Sequence, residues 1–560
     1  MSKKLWTPSA ERINNANITR FIEFVNSKYN KNFNSYEQLY KWSVDDIPAF
    51  WESVWQFVEI RADRKYETVV DDLKKFPGAK WFPGAKLNFA DNLLRYRDTQ
   101  PAFIYRSEEN YRTATTYAEL YNSVVRLSNA LREVGIASGD HVCAYMPNII
   151  ETAIAMLATT YIGGVWSSCG TELGASAVID RFGQIEPKVL FTVDEYIYKG
   201  KTFNNLQNVE KIVGGIPSLK KTVIVKYPKM KKEDIDISKI QNAVFYNDFI
   251  RTCTLHDAQC MMHDFEHPVY IMYSSGTTGK PKCMVQSAGG VLINHLKELI
   301  IHTDLKRDDK IFYITTPSWM MWNWLLSSLA VGATIILYDG NPNYPDWSVM
   351  WKLVEQEKIT IFGCSASYIN YLRSVNATPG KKFDLSSLRE ISQTGSPLSI
   401  EGFEYIYKEI KQDLHFNSIS GGTDINGCFA AGSPIQPVYA GELQSPALGM
   451  KIKAYDENGK PVVDKEGELV CEAPAPSMPI YFWNDSANEK YLNAYFRYFH
   501  GVWRHGDWIV IHSSTGGITF LGRSDFTLKP SGVRIGPAEI YNIVEKFPEV
   551  ADCMAVGQDW

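Results

Sequence analysis

The sequence predicts an α/β protein: a large N-terminal domain of helix-covered parallel sheets plus a small β-barrel, followed by a truncated small α+β C-terminal domain. Three observations carry this. Short apolar runs alternate with helix-length spacers from residue 141 to residue 392, as in a largely parallel sheet covered on both faces. From residue 449 to 520 the pattern changes to short strands separated by turn residues, as in a small barrel or meander. After Gly522 one apolar helix face and one strand remain, fewer than the roughly 40 residues below which a domain seldom folds unaided.

Each element follows in order. The first hundred residues are aromatic, with Trp42, Trp51, Trp55, Trp81 and Phe82 punctuating short helical patterns, and read as an extension packed on the main body. Residues 141–146 form a strand and 149–162 a helix. Strands follow over 189–193, 222–225, 269–273, 311–314, 334–338, 360–364 and 388–392. The second pattern places strands at 451–455, 467–471, 508–512 and 517–521. The end reads as a helix over 537–547 and a strand over 551–556. Pro537 suits the first turn of that helix, and Ile540, Ile543, Val544 and Phe547 share a face.

Composition excludes several classes. With 45% hydrophobic and 22% charged residues, the chain is neither disordered, nor a coiled coil, nor a fibre. Basic residues number 58 against 63 acidic, a net charge of −5, so no nucleic-acid partner is signalled and anionic substrates would be met by local charge. The longest apolar stretch, 153–166, holds Thr159, Thr160 and a Gly pair and falls short of the ~20 residues that span a bilayer. None of the nine cysteines forms a CxxC pair, which argues against a disulfide framework or a zinc site. With no signal-peptide pattern at the start, the expectation is a soluble cytosolic protein without a membrane partner.

The chemistry concentrates in three places. The run Tyr273-Ser274-Ser275-Gly276-Thr277-Thr278-Gly279-Lys280-Pro281-Lys282 follows a strand. Its glycines let the backbone approach a ligand, and its hydroxyls and lysines suit phosphate oxygens. It is not a Walker loop, because only two residues separate the glycines and Pro281 removes a backbone donor. The alternative is a flexible polar surface loop. In Ser418-Ile419-Ser420-Gly421-Gly422-Thr423-Asp424 a carboxylate sits beside a hydroxyl after a Gly pair, which fits magnesium or a nucleotide but equally an ordinary turn. In Trp503-Arg504-His505-Gly506-Asp507-Trp508 and Leu521-Gly522-Arg523-Ser524-Asp525, Asp507 can accept both ribose hydroxyls and Arg523 can reach the same sugar. The alternative is a surface salt bridge between the two.

The hydroxyl-Gly-Lys loop, Thr394-Gly395-Ser396-Pro397, Gly-Gly-Thr-Asp, Gly467-Glu468-Leu469, Arg-His-Gly-Asp and Gly-Arg-Ser-Asp occur in that order. This order resembles the acyl-adenylate-forming superfamily of acyl-CoA synthetases, peptide-synthetase adenylation domains and firefly luciferase. Within it the chain looks most like the acetoacetyl-CoA synthetases. That closer likeness rests on Ser287-Ala288-Gly289-Gly290, Trp319-Met320-Met321-Trp322-Asn323-Trp324, the 419–425 stretch, Glu539-Ile540-Tyr541-Asn542-Ile543-Val544-Glu545 and the Trp-rich extension.

The resemblance implies an N-terminal helical extension over 1–100, an AMP-binding domain over 101–521, and a hinge with the incomplete start of a C-terminal domain over 522–560. It implies ATP-dependent activation of acetoacetate to acetoacetyl-CoA through acetoacetyl-AMP, with ATP, Mg²⁺ and coenzyme A. Ser274, Ser275, Gly276, Thr277, Thr278, Gly279 and Lys280 would hold the β- and γ-phosphates, and Thr423 the α-phosphate. Asp424, where most members have Glu, would bind Mg²⁺. Gly395, Ser396 and Pro397 would line the adenine, and Asp507 and Arg523 the ribose. Asp525 falls at the hinge, Arg534 approaches the phosphates or the thioester-forming state, and Arg181 is a candidate for the coenzyme A nucleotide. Thr423, Asp424, Lys280 and Arg534 form the implied catalytic set.

Substrate choice follows from volume. Acetyl-CoA synthetases close the acyl pocket with a Trp where this chain has Ser420, Gly421 and Gly422. Losing a side chain that buries ~150–250 Å² leaves room for a longer acid. Trp319, Met320 and Met321 would form the opposite wall and Thr394 part of the floor, with Trp322 and Trp324 as core. His295 would either bond the 3-keto oxygen or be a satisfied helix-surface residue. Ser318 and Phe526 stand where relatives often have Gly. The family uses a lysine further on in the C-terminal domain during adenylation, and neither Lys529 nor Lys546 sits in that motif. If the chain is a whole protein, impaired adenylation is expected; if it is part of a longer one, it is not. The alternatives are a ligase for butyrate, 3-hydroxybutyrate or acetate, and a truncated non-catalytic nucleotide-binding protein. A monomer is expected.

Overall fold

The computed structural model describes residues 2–229, 235–251, 259–274, 280–524, 544, 547, 549–550 and 553–554. Two parallel-cored sheets form its frame. The first runs in the order Ala243–Phe245, Lys221–Val225, Val189–Val193, His141–Tyr145, Val165–Cys169, Pro268–Ser274, Lys282–Ser287 and Tyr481–Phe482. It is parallel up to Pro268–Ser274 and antiparallel across its last two pairs. The second runs His415–Ser418, Glu390–Thr394, Ile361–Ser365, Lys310–Tyr313, Thr334–Asp339, Pro101–Ser107 and Arg112–Thr116, with only the last pair antiparallel. Central strands are buried on both faces, as a helix-covered parallel sheet requires; all five residues of Val189–Val193 are buried.

The predicted alternation is present, with shifted boundaries. The helix expected over 149–162 spans Ile150–Tyr161. The strand expected over 388–392 is Glu390–Thr394, and that over 508–512 is the tail of Trp503–Ile511. Val165–Cys169, with buried Ser167, and Lys282–Ser287, with buried Gln286, break their apolar runs with polar residues and went unread, as did the apolar Pro101–Ser107 and Gly427–Ala431. The antiparallel part is a five-stranded sheet in the order Pro461–Val462, Ile452–Tyr455, Glu466–Cys471, Trp503–Ile511 and Ile518–Arg523. A bridge between Leu443 and Ile518 joins it to the three-stranded sheet of Ser420–Gly422, Gly427–Ala431 and Ser445–Pro446. Asp525, Phe526, Lys529, Arg534, Lys546 and nearly all of the helix and strand expected over 537–556 lie outside the described residues.

The aromatic N-terminal segment forms the helices Asn17–Tyr29, Tyr36–Asp45 and Ile47–Phe57, the last two capped by the side chains of Ser35 and Asp46. Phe21, Phe50 and Trp51 are fully buried in one core with residues of the helix Ala288–Leu296. Hydrogen bonds fasten it: Asn17 N–H donates to Asp304 Oδ1 (2.7 Å), Tyr36 Oη–H to Pro446 O (2.5 Å) and Gly449 N–H to Ser43 Oγ (3.0 Å). The strand Lys4–Trp6 pairs with Val438–Tyr439, a contact no local pattern announced. No helix among the described residues is long and apolar enough to cross a membrane.

Behind the site lies a buried polar cluster on the π-helical turn Lys297–His302. His302 donates from Nδ1 to Gly432 O (2.8 Å) and accepts at Nε2 from Leu448 N–H (3.3 Å). Both bonds require the neutral ring, and burial pushes its pKa down to about 3. The unfolded chain therefore binds a proton that the folded chain refuses, so this stability is lost as pH falls from about 6.5 toward 3. His302 is expected to remove about 2 kcal/mol between pH 6.5 and 5. Urea denaturation of the wild type and His302→Gln at both pH values checks this: the variant should show the shallower loss.

Candidate active site

The implied site residues converge at strand ends and turns, where open α/β sheets bind ligands. Ser274 ends the strand Pro268–Ser274 and faces Lys282 across the antiparallel pair. Thr394 ends Glu390–Thr394, with Gly395, Ser396 and Pro397 in the turn beyond. Thr423 and Asp424 occupy the turn between Ser420–Gly422 and Gly427–Ala431. Lys280 is exposed; Ser275, Gly276, Thr277, Thr278 and Gly279 lie outside the described residues.

Two buried glutamines set these turns. Gln286 donates from Nε2 to Thr423 O (3.1 Å) and Asp424 O (3.4 Å), tying the turn to the first sheet. Gln393 donates from Nε2 to Thr394 O (3.1 Å) and Ser396 O (2.9 Å), and its Oε1 accepts from Ser418 Oγ–H (2.8 Å). Gly395 adopts φ +99°, a conformation that disfavours side chains, and a Cβ there would meet only Ser365 Cβ at 3.9 Å. The backbone therefore opens onto space at the position implied for adenine.

Asp424 is held from below. Tyr495, from the helix Glu489–Tyr495, donates its hydroxyl to Asp424 Oδ1. The Tyr495 ring stacks on Trp503 with centroids 3.6 Å apart and planes 12° off parallel. Both rings are buried, so the carboxylate cannot swing freely. Among the described residues no group of three or more His, Cys, Asp or Glu forms a metal cage. A magnesium ion arriving with ATP needs only one or two carboxylates besides phosphates, and the oriented oxygen donor of Asp424 fits that need.

Asp507 and Arg523 face each other across the strands Trp503–Ile511 and Ile518–Arg523. Asp507 Oδ1 lies 3.7 Å from Arg523 Nη1 and Oδ2 lies 3.5 Å from His505 Nε2. The ion pair weighed from sequence is thus present. The Arg523 side chain remains 45% exposed and can meet a ligand, while Asp507 is largely buried beneath it at 12%. Buried His505 also approaches Gly421 O at 3.3 Å, edge-on to Phe429. Arg181 donates from Nη1 to Ala177 O (2.8 Å) and lies 5.9 Å from the Tyr273 ring, near the base of the Gly-rich run.

The expected acyl wall is corrected in three places. Trp319 is 63% exposed, while Met320 is buried and Met321 half-buried. At Gly421 the missing side chain opens nothing: a Cβ would lie 1.9 Å from Gly427 O and 2.6 Å from Cys428 Cα, so the neighbouring strand fills the space. At Gly422, and not Gly421, the surroundings are ordinary, with nothing nearer than 3.4 Å. Gly421→Ala is expected to cost about 2 kcal/mol or more and Gly422→Ala less than about 1 kcal/mol, read from parallel urea melts. His295 is satisfied but fully buried, not on a helix surface. Its Nδ1 lies 2.8 Å from Ser327 Oγ and its Nε2 2.8 Å from Asn426 Oδ1. Those partners leave it no free nitrogen for a substrate ketone. Trp322 and Trp324 are core, donating to Asn148 Oδ1 (3.0 Å) and Glu298 Oε2 (2.9 Å). Ser318 Oγ accepts from Gly170 N–H (2.7 Å), so its hydroxyl is spent within the fold.

Sequence reasoning missed Gln286, Gln393 and Tyr495, which carry no spacing signal. His505 lay inside a quoted motif and could have been singled out.

The profile of the AMP-binding enzyme family matches residues 89–482, and that of the acetyl-coenzyme A synthetase N-terminus matches 36–93. An acetoacetyl-CoA synthetase of Danio rerio is 45% identical over 564 aligned positions, covering 100% of this chain and 83% of that protein. An acetoacetyl-coenzyme A synthetase of Rhizobium meliloti is 44% identical, covering 100% and 85%. The structure of an acetoacetyl-CoA synthetase from Streptomyces lividans superposes with a TM-score of 0.92 at 41% identity, covering 100% of this chain and 85% of that one.

Proposed function

We infer the reaction from one premise: this chain belongs to the AMP-binding enzyme family and aligns throughout its length with acetoacetyl-CoA synthetases. It is an acid–thiol ligase that uses ATP, Mg²⁺ and coenzyme A to convert acetoacetate to acetoacetyl-CoA. The full-length alignment at 43–45% identity with vertebrate acetoacetyl-CoA synthetases carries this conclusion.

A carboxylate is a poor electrophile, and the reaction overcomes this with a leaving group. A carboxylate oxygen of acetoacetate bonds to the α-phosphorus of ATP while the bond to pyrophosphate breaks. The coenzyme A thiol then loses its proton, its sulfur bonds to the carbonyl carbon, and AMP departs. On our reading the Thr423 hydroxyl donates to an α-phosphate oxygen, and Asp424, oriented by Tyr495, would hold the magnesium. That ion, when bound, neutralises charge on the phosphates. Ser274 and Lys280 flank the β- and γ-phosphates. Gly395, Ser396 and Pro397 receive the adenine, and Asp507 and Arg523 the ribose. Arg181 attracts the coenzyme A nucleotide. Met320, Met321, Thr394 and Gly422 bound the acyl group. We further read the enzyme as a cytosolic monomer; the unpaired, buried Cys143, Cys169, Cys283, Cys364, Cys428 and Cys471 support the reducing compartment and not the oligomeric state.

The test is a thermal shift with acetoacetyl-, butyryl- and acetyl-sulfamoyl adenosine, which bind without turnover. Binding to the native state alone raises Tm by mass action. The acetoacetyl compound should stabilise most, and no shift with any of the three would overturn the reading.

A further inference from the structure

A cavity of about 10 Å³, room for one water-sized oxygen and not for an acyl chain, lies between the strands Val165–Cys169 and Pro268–Ser274 and the helix Met320–Leu326. Its serines are already committed. Ser167 Oγ–H donates to Ile271 O (2.8 Å), Ser168 Oγ–H donates to Pro317 O (2.7 Å), and Ser318 Oγ accepts from Gly170 N–H. Asn323 is different. It is 3% exposed and lines the cavity, and its Oδ1 has no hydrogen-bond partner among the described residues. Its Nδ2 reaches only the thioether of Met272, at 3.5 Å. A thioether is a weak acceptor and the amide carries two N–H donors, so whichever way the group is turned its capacity is largely unspent. A buried amide in that state is costly unless something else completes it.

The position says what would complete it. Asn323 lies one helical turn after Met320. The same Met272 sulfur accepts from Asn426 Nδ2 (3.2 Å), and Asn426 N–H bonds back to Thr423 O (3.3 Å). The amide therefore sits one methionine away from the turn that presents Thr423 and Asp424. His295, the other side chain suited to a ketone, is consumed by Ser327 and Asn426.

We propose that Asn323 is the specificity determinant of the acyl pocket, donating an amide N–H to the 3-oxo oxygen of the substrate. The inference rests on the acetoacetate reading above. A pocket built to hydrogen-bond a substrate oxygen rejects the analogue that lacks it, because its polar group is left unpaired, whereas an apolar pocket discriminates weakly.

Calorimetric titration of acetoacetyl- and butyryl-sulfamoyl adenosine into the wild-type chain, Asn323→Leu and Asn323→Asp tests it. The four-carbon acyl groups differ essentially in the ketone. The wild type should prefer the acetoacetyl compound about 10- to 100-fold. In both variants the ratio of the two dissociation constants should collapse to within about threefold of one. The Asp variant keeps the shape while a carboxylate cannot donate, so it guards against a packing effect of Leu. A wild type without preference sinks the acetoacetate reading and this inference with it. A preference retained in both variants overturns the role of Asn323 alone, and its loss in Trp166→Phe would then assign the ketone to the unpartnered Trp166 Nε1 in the same cavity.

Discussion

Asp424→Asn is expected to lower acetoacetate-dependent pyrophosphate release by about two to three orders of magnitude. The substitution keeps the side chain's shape and removes its charge. Stacking of Tyr495 on Trp503 and the Tyr495 hydroxyl bond fix how the carboxylate presents its second oxygen. That preorganisation is what our magnesium assignment requires, since a short carboxylate side chain tolerates little misalignment. Tyr495→Phe should leave the charge and release the orientation, weakening the apparent magnesium affinity about 10- to 100-fold. The pair of variants separates the two effects. Magnesium titrations of pyrophosphate release should show a rightward shift in Tyr495→Phe and a depressed plateau in Asp424→Asn. If the Asn variant releases pyrophosphate within about threefold of the wild-type rate, the assignment fails.

Glu298→Ala is expected to destabilise the fold by about 3–5 kcal/mol, more than either glycine substitution beside the acyl pocket. Glu298 is 2% exposed. Its Oε1 accepts from Cys428 N–H (2.8 Å) and Asn294 Nδ2 (3.1 Å), and its Oε2 from Trp324 Nε1–H (2.9 Å). Fully buried Lys297 lies 3.8 Å away, its Nζ without a hydrogen bond among the described residues and 5.5 Å from the Trp51 ring centroid. Burial pushes the Lys297 pKa down and the Glu298 pKa up, so each depends on the other to stay charged. Removing the carboxylate orphans three donors and strands an ammonium against the aromatic N-terminal segment. Lys297→Met combined with Glu298→Leu removes both charges and should be less damaging than Glu298→Ala. Urea melts of the single and double variants decide it; a loss below about 1 kcal/mol for Glu298→Ala would show that the charges are not held as the contacts indicate.

Much of the fold was legible because parallel strands covered on both faces must be apolar throughout. Val189–Val193 and Thr334–Asp339 declare themselves in a linear reading for that reason. Two of the strands that escaped bury Ser167 and Gln286, which a period-counting argument does not see, whereas Pro101–Ser107 and Gly427–Ala431 are apolar and fall outside the two stretches in which the alternation is evident. At the site, Thr423, Asp424, Asp507 and Arg523 could be singled out because chemistry confines those residue types to a few motifs. Their supports could not. Tyr495 is 71 positions from Asp424, and Gln286 is 137 from Thr423. No local spacing links such pairs.

By itself the sequence determined the α/β architecture and, through the order of its Ser/Thr/Gly-Lys, Gly-Gly-Thr-Asp and Gly-Arg-Ser-Asp motifs, the class of reaction. Only the tertiary structure decided which pocket residues are available to a substrate. His295 is spent on Asn426 and Ser327, the absence of a side chain at Gly421 makes room for the backbone of Gly427 and not for an acid, and Trp319 is largely exposed. Motifs are set by local covalent order, which the chain carries wherever it goes. Availability is set by what distant segments place against each group, and that exists only after packing.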